Sequence, residues 1–172
     1  MSVQEMEQQL RVLLEPVVEK AGMYLEGVSI RAMGASRVLQ VLVDLPEDTT
    51  EPVDLDHVAT VSRAISEVLD QHDAVAGPAY ELEVSSPGAG RELTEVRHWK
   101  RSLGRRVALT PLDLDDGEKF VAQLLSVEPG EGLEDTVVTV QRSKQVKKGM
   151  PVKVMDPERW QLTRIRRAAV VV

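Results

Sequence analysis

The chain has no cysteine among its 172 residues. That excludes disulfides, thiol nucleophiles and cysteine-ligated zinc or iron–sulfur centres, and it fits a reducing compartment. Aromatic residues are also scarce, at 3%. The cores must therefore be built from Val, Leu, Ile and Ala, and an RNA-binding sheet lined with stacked rings is disfavoured. No apolar run approaches the roughly 18 residues that cross a bilayer. The opening residues Met1-Ser2-Val3-Gln4-Glu5 are polar and acidic rather than basic and then apolar. A soluble, cytoplasmic protein with no membrane partner is expected. Catalytic signatures are missing too: there is no G-x-x-x-x-G-K-S/T phosphate loop, and Gly88-Ala89-Gly90 lacks the third glycine of a dinucleotide fingerprint. With three scattered histidines, neither a metal, a cofactor nor a catalytic residue is expected.

What the chain does have is enough apolar material, 42%, for one ordinary globular domain or two small ones. Its net charge of −7 by itself argues against nucleic acid as a partner. Divided after Glu92, the chain reads differently. Residues 1–92 hold 6 Lys/Arg against 17 Asp/Glu, a net −11, and residues 93–172 hold 15 against 11, a net +4. An acidic module joined to a basic one suits a mixed surface of protein and RNA.

In the acidic half, Met6, Leu10, Leu13, Leu14, Val17 and Ala21 recur at helical spacing, with Pro16 expected to kink or break the helix near residues 12–16 and Gly22 to stop it. Alternation predicts strands from Tyr24 to Arg31 and from Arg37 to Leu45, close enough to form an antiparallel hairpin. Asp54 can cap a helix that carries Leu55, Val58, Val61, Ile65, Val68 and Leu69 on its buried face. After Gly77-Pro78, Tyr80 to Ser85 alternates as a strand with one wet face. The order α-β-β-α-β predicts a three-stranded sheet with two helices on one face.

From Arg105 the texture changes to short strands: Arg105 to Thr110, Phe120 to Val127, Thr136 to Gln141, Val152 to Met155, and a last stretch reaching Val172. Asp115-Asp116-Gly117 and Pro129-Gly130-Glu131-Gly132 mark turns, and Pro157 to Arg167 reads equally as helical turn or strand. Five short strands predict a small closed barrel of SH3-like or Sm-like type.

Candidate sites follow from charge and from small residues. Ser85-Ser86-Pro87-Gly88 could cradle an anion through backbone N–H groups and hydroxyls, or form a type II turn with Gly88 at positive φ. Dense cations at Arg91, at Arg97, Lys100 and Arg101, at Arg105 and Arg106, at Arg142, Lys144, Lys147 and Lys148, and at Arg164, Arg166 and Arg167 suggest phosphate contacts. His98 falls among the second group. His57 beside Asp54 and Asp56 could hold a metal, although acids in a first helical turn are favoured by the helix dipole alone.

The stretch Leu82-Glu83-Val84-Ser85-Ser86-Pro87-Gly88-Ala89-Gly90-Arg91-Glu92-Leu93, followed by Trp99 and Leu103-Gly104-Arg105-Arg106-Val107, resembles the signature of the bacterial RimP family. In that family a strand ending in V-S-S-P-G leads through an arginine into an SH3-like domain. Leu14-Glu15-Pro16-Val17-Val18 with Gly22 is similar to the family's first helix, and Phe120 to Leu124 to its F-x-G-x-L strand. The chain departs from the pattern at Gly90 and Glu92, where Asp and Pro are frequent, at Ala122 in place of glycine, and in its basic ending from Arg159 to Arg167.

The resemblance implies an α+β protein: an N-terminal domain of KH-like topology over residues 1–92 and a C-terminal SH3-like barrel over 93–172. The nucleic-acid-gripping G-x-x-G loop of true KH domains is absent. It also implies a non-catalytic, monomeric factor in maturation of the small (30S) ribosomal subunit. The partners would be immature small subunits, their rRNA and a basic ribosomal protein. On that view Ser85, Ser86, Arg91, Arg97, Lys100, Arg101, Arg105, Arg106, Arg164, Arg166 and Arg167 meet the RNA. Glu81 and Glu83, on the wet face of the third strand, meet the ribosomal protein. An Sm-like RNA-binding regulator is the alternative, but Sm-like proteins work as rings and the acidic domain would hinder closure. The linker from Gly88 to Leu93 is expected to let the domains reorient.

Overall fold

The computed structural model describes residues 1–73, 75, 77, 79–88, 90–144 and 147–171. The chain forms two compact units, Met1–Pro87 and Gly88–Val172. This boundary lies five residues before the change in charge read from composition. Moving it leaves the electrostatics intact, because Arg91 and Glu92 change sides together: the units still carry −11 and +4. Both units contain helix and strand, and the protein is α+β.

In the first unit α1 (Val3–Lys20) begins with a capping box, in which Ser2 Oγ accepts from the Glu5 N–H at 3.1 Å. Leu10, Leu14 and Val18 are its buried stripe. The helix runs unbroken through Pro16, where a kink or break was expected. Pro16 is exposed, so the Val12 carbonyl left without a donor sits on the solvent side, where water can satisfy it. Gly22, at φ 80, follows the helix as expected.

Strands β1 (Tyr24–Met33) and β2 (Ser36–Asp44) are an antiparallel hairpin with a bulge between Leu25 and Gly27. Helix α2 (Leu55–His72) leads to β3 (Tyr80–Ser85), which pairs with β2 in parallel. The sheet order is β1-β2-β3. Leu39, Val41 and Val43 alternate onto one sheet face and share a single core with Leu10, Leu14 and Val18 of α1 and Val61, Ile65 and Leu69 of α2. Leu55, expected in that stripe, is 87% exposed. As the first residue of α2 it lies well round the helix from Val61 and Ile65. Pro78, part of the expected turn before β3, lies outside the described residues, as does Ala89 of the motif that follows.

The second unit starts with residues that were expected to be a hinge. The Leu93 N–H donates to the Ala168 carbonyl at 2.8 Å, the Val170 N–H to the Arg91 carbonyl at 3.1 Å, and Glu92 bridges Ala169. Residues 91–93 are thus tied to the last strand, which confines any linker to the residues before them. A short helix not anticipated from the sequence, α3 (Val96–Arg101), comes next. Its six residues are too few for a periodicity to be read.

The strands β4 (Arg106–Pro111), β5 (Phe120–Glu128), β6 (Val137–Gln141), β9 (Glu158–Gln161) and β10 (Ile165–Val170) form one antiparallel sheet in the order β10-β4-β5-β6-β9. Val107, Leu109, Ala122, Leu124, Val138, Val140 and Ala168 face its core, with Trp99 and Leu162. The strand expected at Val152 to Met155 does not join this sheet. Residues Ser143–Lys144 (β7) and Lys153–Val154 (β8) pair only with each other. The fourth strand of the sheet is β9 instead, drawn from the segment that read ambiguously. The reason is burial: Lys153 and Val154 are exposed, whereas Trp160 and Leu162 pack on the core. A 3₁₀ turn, Leu162–Arg164, joins β9 to β10. The end of the last expected strand, Val172, lies outside the described residues.

Candidate contact surfaces

On the first unit, the outward face of β3 presents Glu81 and Glu83, both exposed. They oppose Val38 and Gln40 of β2. Alternation places Leu82 and Val84 on the core side and these two carboxylates on the other. Arg31 approaches Glu83 at 3.8 Å, a loose and well-solvated pair. Ser85 and Ser86 are half-buried at the end of β3. Gly88 does not adopt positive φ, which belongs instead to Gly90 at 81°, so of the two readings of Ser85-Ser86-Pro87-Gly88 the type II turn is not formed.

The histidines have structural places. His57 and Asp54 cap α2 reciprocally: the His57 N–H donates to Asp54 Oδ1 at 2.8 Å and His57 Nδ1 accepts from the Asp54 N–H at 3.4 Å. The helix-start reading of this cluster holds. His98 is buried, and its Nδ1 accepts from the backbone N–H groups of Thr94 and Glu95 at 3.0 and 3.1 Å, rather than joining a surface patch. Burial, with the carboxylates of Asp70 and Asp73 nearby, raises the Tyr80 phenol above its ordinary pKa.

The cations of the second unit fall into three settings. Arg97 and Arg101 of α3 are buried, and Lys100 and Arg91 are half-buried. The C-terminal arginines are exposed but engaged. Arg164 Nη2 donates to both carboxylate oxygens of Asp116 at 2.8 Å, Arg166 donates to the Leu112 carbonyl at 3.2 Å, and Arg167 Nε meets Glu92 at 2.8 Å. Asp116 and Arg164 line a depression of about 390 Å³ with Glu158, Arg159, Trp160 and Gln161. Arg159 is itself paired to Glu128 at 2.6 Å. Arg105 and Arg106 differ: both are exposed, and neither side chain has a hydrogen-bond or ion-pair partner among the described residues.

The two arginine groups are not gathered into one patch. Arg106 opens β4, which runs antiparallel to β10, and Ile165 opposes Pro111 at the far end. Five strand residues separate the groups by roughly 17 Å. The cations that sequence reasoning underrated are Lys144, Lys147, Lys148 and Lys153, all exposed. The signal for them was present, since no acid interrupts residues 142–155.

An acidic unit with helices over a small sheet, followed by a basic unit of short strands, defines the class: a two-unit α+β protein whose surfaces of opposite charge are segregated along the chain. No helix among the described residues is long and apolar enough to cross a membrane. Residues 13–90 match the family model described as the RimP N-terminal domain. A similar protein of Kineococcus radiotolerans, named ribosome maturation factor RimP, is 38% identical over 136 residues, or 79% of this chain and 61% of the relative. The chain thus spans about three fifths of that relative's length. Residues 13–90 thus match the RimP N-terminal domain, and the resemblance to that family carried by V-S-S-P-G is borne out.

Proposed function

We propose that this chain is a non-catalytic, monomeric, cytoplasmic maturation factor of the small ribosomal subunit. Its first unit has KH-like topology and meets a basic ribosomal protein through Glu81 and Glu83. Its second is an SH3-like barrel that meets small-subunit rRNA. The observation that carries this reading is the segregation of charge, −11 on one compact unit and +4 on the other, in a relative of a ribosome maturation factor. Phosphates repel the first unit and attract the second, whereas a basic protein prefers the reverse.

The fold is consistent with these assignments. The α1-β1-β2-α2-β3 order with β2 and β3 parallel suits a KH-like unit without its gripping loop. A five-stranded order whose end strands β9 and β10 are joined by one short turn suits a small barrel. Holding RNA and protein in place needs no nucleophile, and the capping roles of His57 and His98 agree with that.

The test is sedimentation of the purified chain with immature and with mature small subunits at moderate salt. Preferential co-sedimentation with immature particles is expected, without change to the RNA on prolonged incubation. Equal failure to bind either particle, or assembly of the free chain into a stable hexameric ring, would contradict the reading.

A further inference from the structure

We propose that the ribbon formed by β7 and β8 is an RNA-clasping arm that supplies phosphate contacts separate from those of Arg105 and Arg106. The proposal rests on the reading above only in naming the RNA. Residues 142–155 hold Arg142, Lys144, Lys147, Lys148 and Lys153 and no acid. Every described residue from Ser143 to Pro157 is exposed. The ribbon also displays apolar side chains to solvent: Met150 and Val152 are 53% exposed, Val154 59% and Met155 45%.

Lys144 lies directly opposite Lys153 across the ribbon. Like charges at facing positions of an antiparallel pair destabilise it, and a two-stranded ribbon with no core behind it is marginal already. Such a local conflict with folding is expected at functional sites. A phosphate lying along the ribbon converts this repulsion into attraction for both ammonium groups.

The root of the arm is held firmly. Arg142 donates to Glu158 through Nε at 2.7 Å and Nη2 at 3.1 Å, and its guanidinium lies 3.5 Å over the Phe120 ring. The Met155 N–H donates to the Arg142 carbonyl, and Gln141 Nε2 to the Met155 carbonyl, both at 2.9 Å. Arg142 is therefore an anchor, and the four lysines beyond it are the contact groups. At the far end the chain turns at Gly149, φ 89, with the Met150 N–H donating to the Lys147 carbonyl at 3.1 Å.

A fixed root and an exposed cationic ribbon that carries apolar side chains among its lysines can follow a nucleic-acid groove, lysines on phosphates and Met150 and Val152 on sugar and base surfaces. The wide, shallow groove of an RNA helix, or an unstacked loop, would admit it. A basic protein would be repelled by the same lysines.

The experiment measures binding of full-length K144A/K153A and M150A/V152A chains to protein-free small-subunit rRNA and to immature small subunits over a salt series, with thermal melts by circular dichroism. For K144A/K153A, affinity at moderate salt should fall roughly tenfold and the slope of log affinity against log salt should shrink by about 1.5. The melting midpoint should stay or rise, because a repulsive pair is gone. Arginine at both positions should restore the slope. M150A/V152A should weaken binding with the slope unchanged. Wild-type affinity and slope in K144A/K153A would overturn the proposal while leaving the RNA-binding reading intact. So would a loss seen on particles but not on protein-free RNA, which would assign the ribbon to a protein partner. Flattening here with no effect of R105A/R106A would keep the arm and move the RNA contact away from those arginines. Failure of the wild-type chain to bind either RNA probe would overturn both.

Discussion

The two units handle charge in different ways. The first has 16 acidic residues against 5 basic ones, too few cations to pair its carboxylates, so most of them keep an uncompensated charge. The second is nearly balanced, with 16 cations against 12 acids, yet its small net charge understates its local fields. Arg142, Arg159, Arg164 and Arg167 are paired with Glu158, Glu128, Asp116 and Glu92. Among the described residues, Arg105, Arg106, Lys119 and the lysines of the β7–β8 ribbon have no such partner. Net charge thus describes the first unit adequately, whereas in the second only the pairing identifies which cations remain to meet an anion.

The largest way to break this comparison is through the cores, which share no residue. Leu39→Ala and Leu124→Ala, at two fully buried positions, should each cost about 2–5 kcal/mol in their own unit. The chain offers separate probes: both tryptophans, Trp99 and Trp160, lie in the second unit, and both tyrosines, Tyr24 and Tyr80, in the first. Leu39→Ala should lower the tyrosine-monitored transition and leave the tryptophan one, and Leu124→Ala should do the reverse. Coincident shifts in both variants would show that the units unfold as one.

A smaller effect sharpens the account of pairing. Asp116→Asn removes the partner of Arg164, an exposed ion pair worth at most about 1 kcal/mol of stability. RNA affinity should rise a few-fold and its salt dependence should steepen, since one more cation is freed for phosphate. Unchanged affinity would mean that the C-terminal turn does not face the RNA.

The smallest effect lies in the first unit alone. Tyr80 holds its proton more tightly folded than unfolded, so above about pH 10 the unfolded chain has already lost a proton that the native unit keeps. Stability of that unit should therefore decline as pH rises through the alkaline range, and Tyr80→Phe should remove part of the decline. Melts followed across alkaline pH check both, and an identical slope in the variant would remove Tyr80 from the effect.

How much could be read from the sequence also differs between the units. In the first, long elements repeat their pattern several times, so α1, β1, β2, α2 and β3 were all legible. The misses were local: Pro16 is tolerated because its side of the helix faces water, and Leu55 precedes the buried stripe. In the second, strands of four to six residues carry little periodicity, and α3 is shorter still. Lys153-Val154 looked as much like a core strand as Glu158–Gln161 did, and only packing of Trp160 and Leu162 separates them. The candidate cations were visible as residue types. Their availability was not, because the partners of Arg164 and Arg167 lie 48 and 75 residues away in the chain and only folding brings them together.

The central claim is that the two surfaces recognise different partners, and a paired comparison of R105A/R106A with E81K/E83K tests it most directly. Binding of each variant to protein-free small-subunit rRNA and to isolated basic small-subunit ribosomal proteins is measured over a salt series, with circular dichroism confirming the fold. The account predicts that R105A/R106A weakens RNA binding, flattens its salt dependence by about 1–2 in log slope and leaves protein binding unchanged. E81K/E83K should lose the ribosomal protein and keep the RNA. If both variants lose both partners alike, or neither variant loses any binding, the segregated charge does not divide recognition and the account is contradicted.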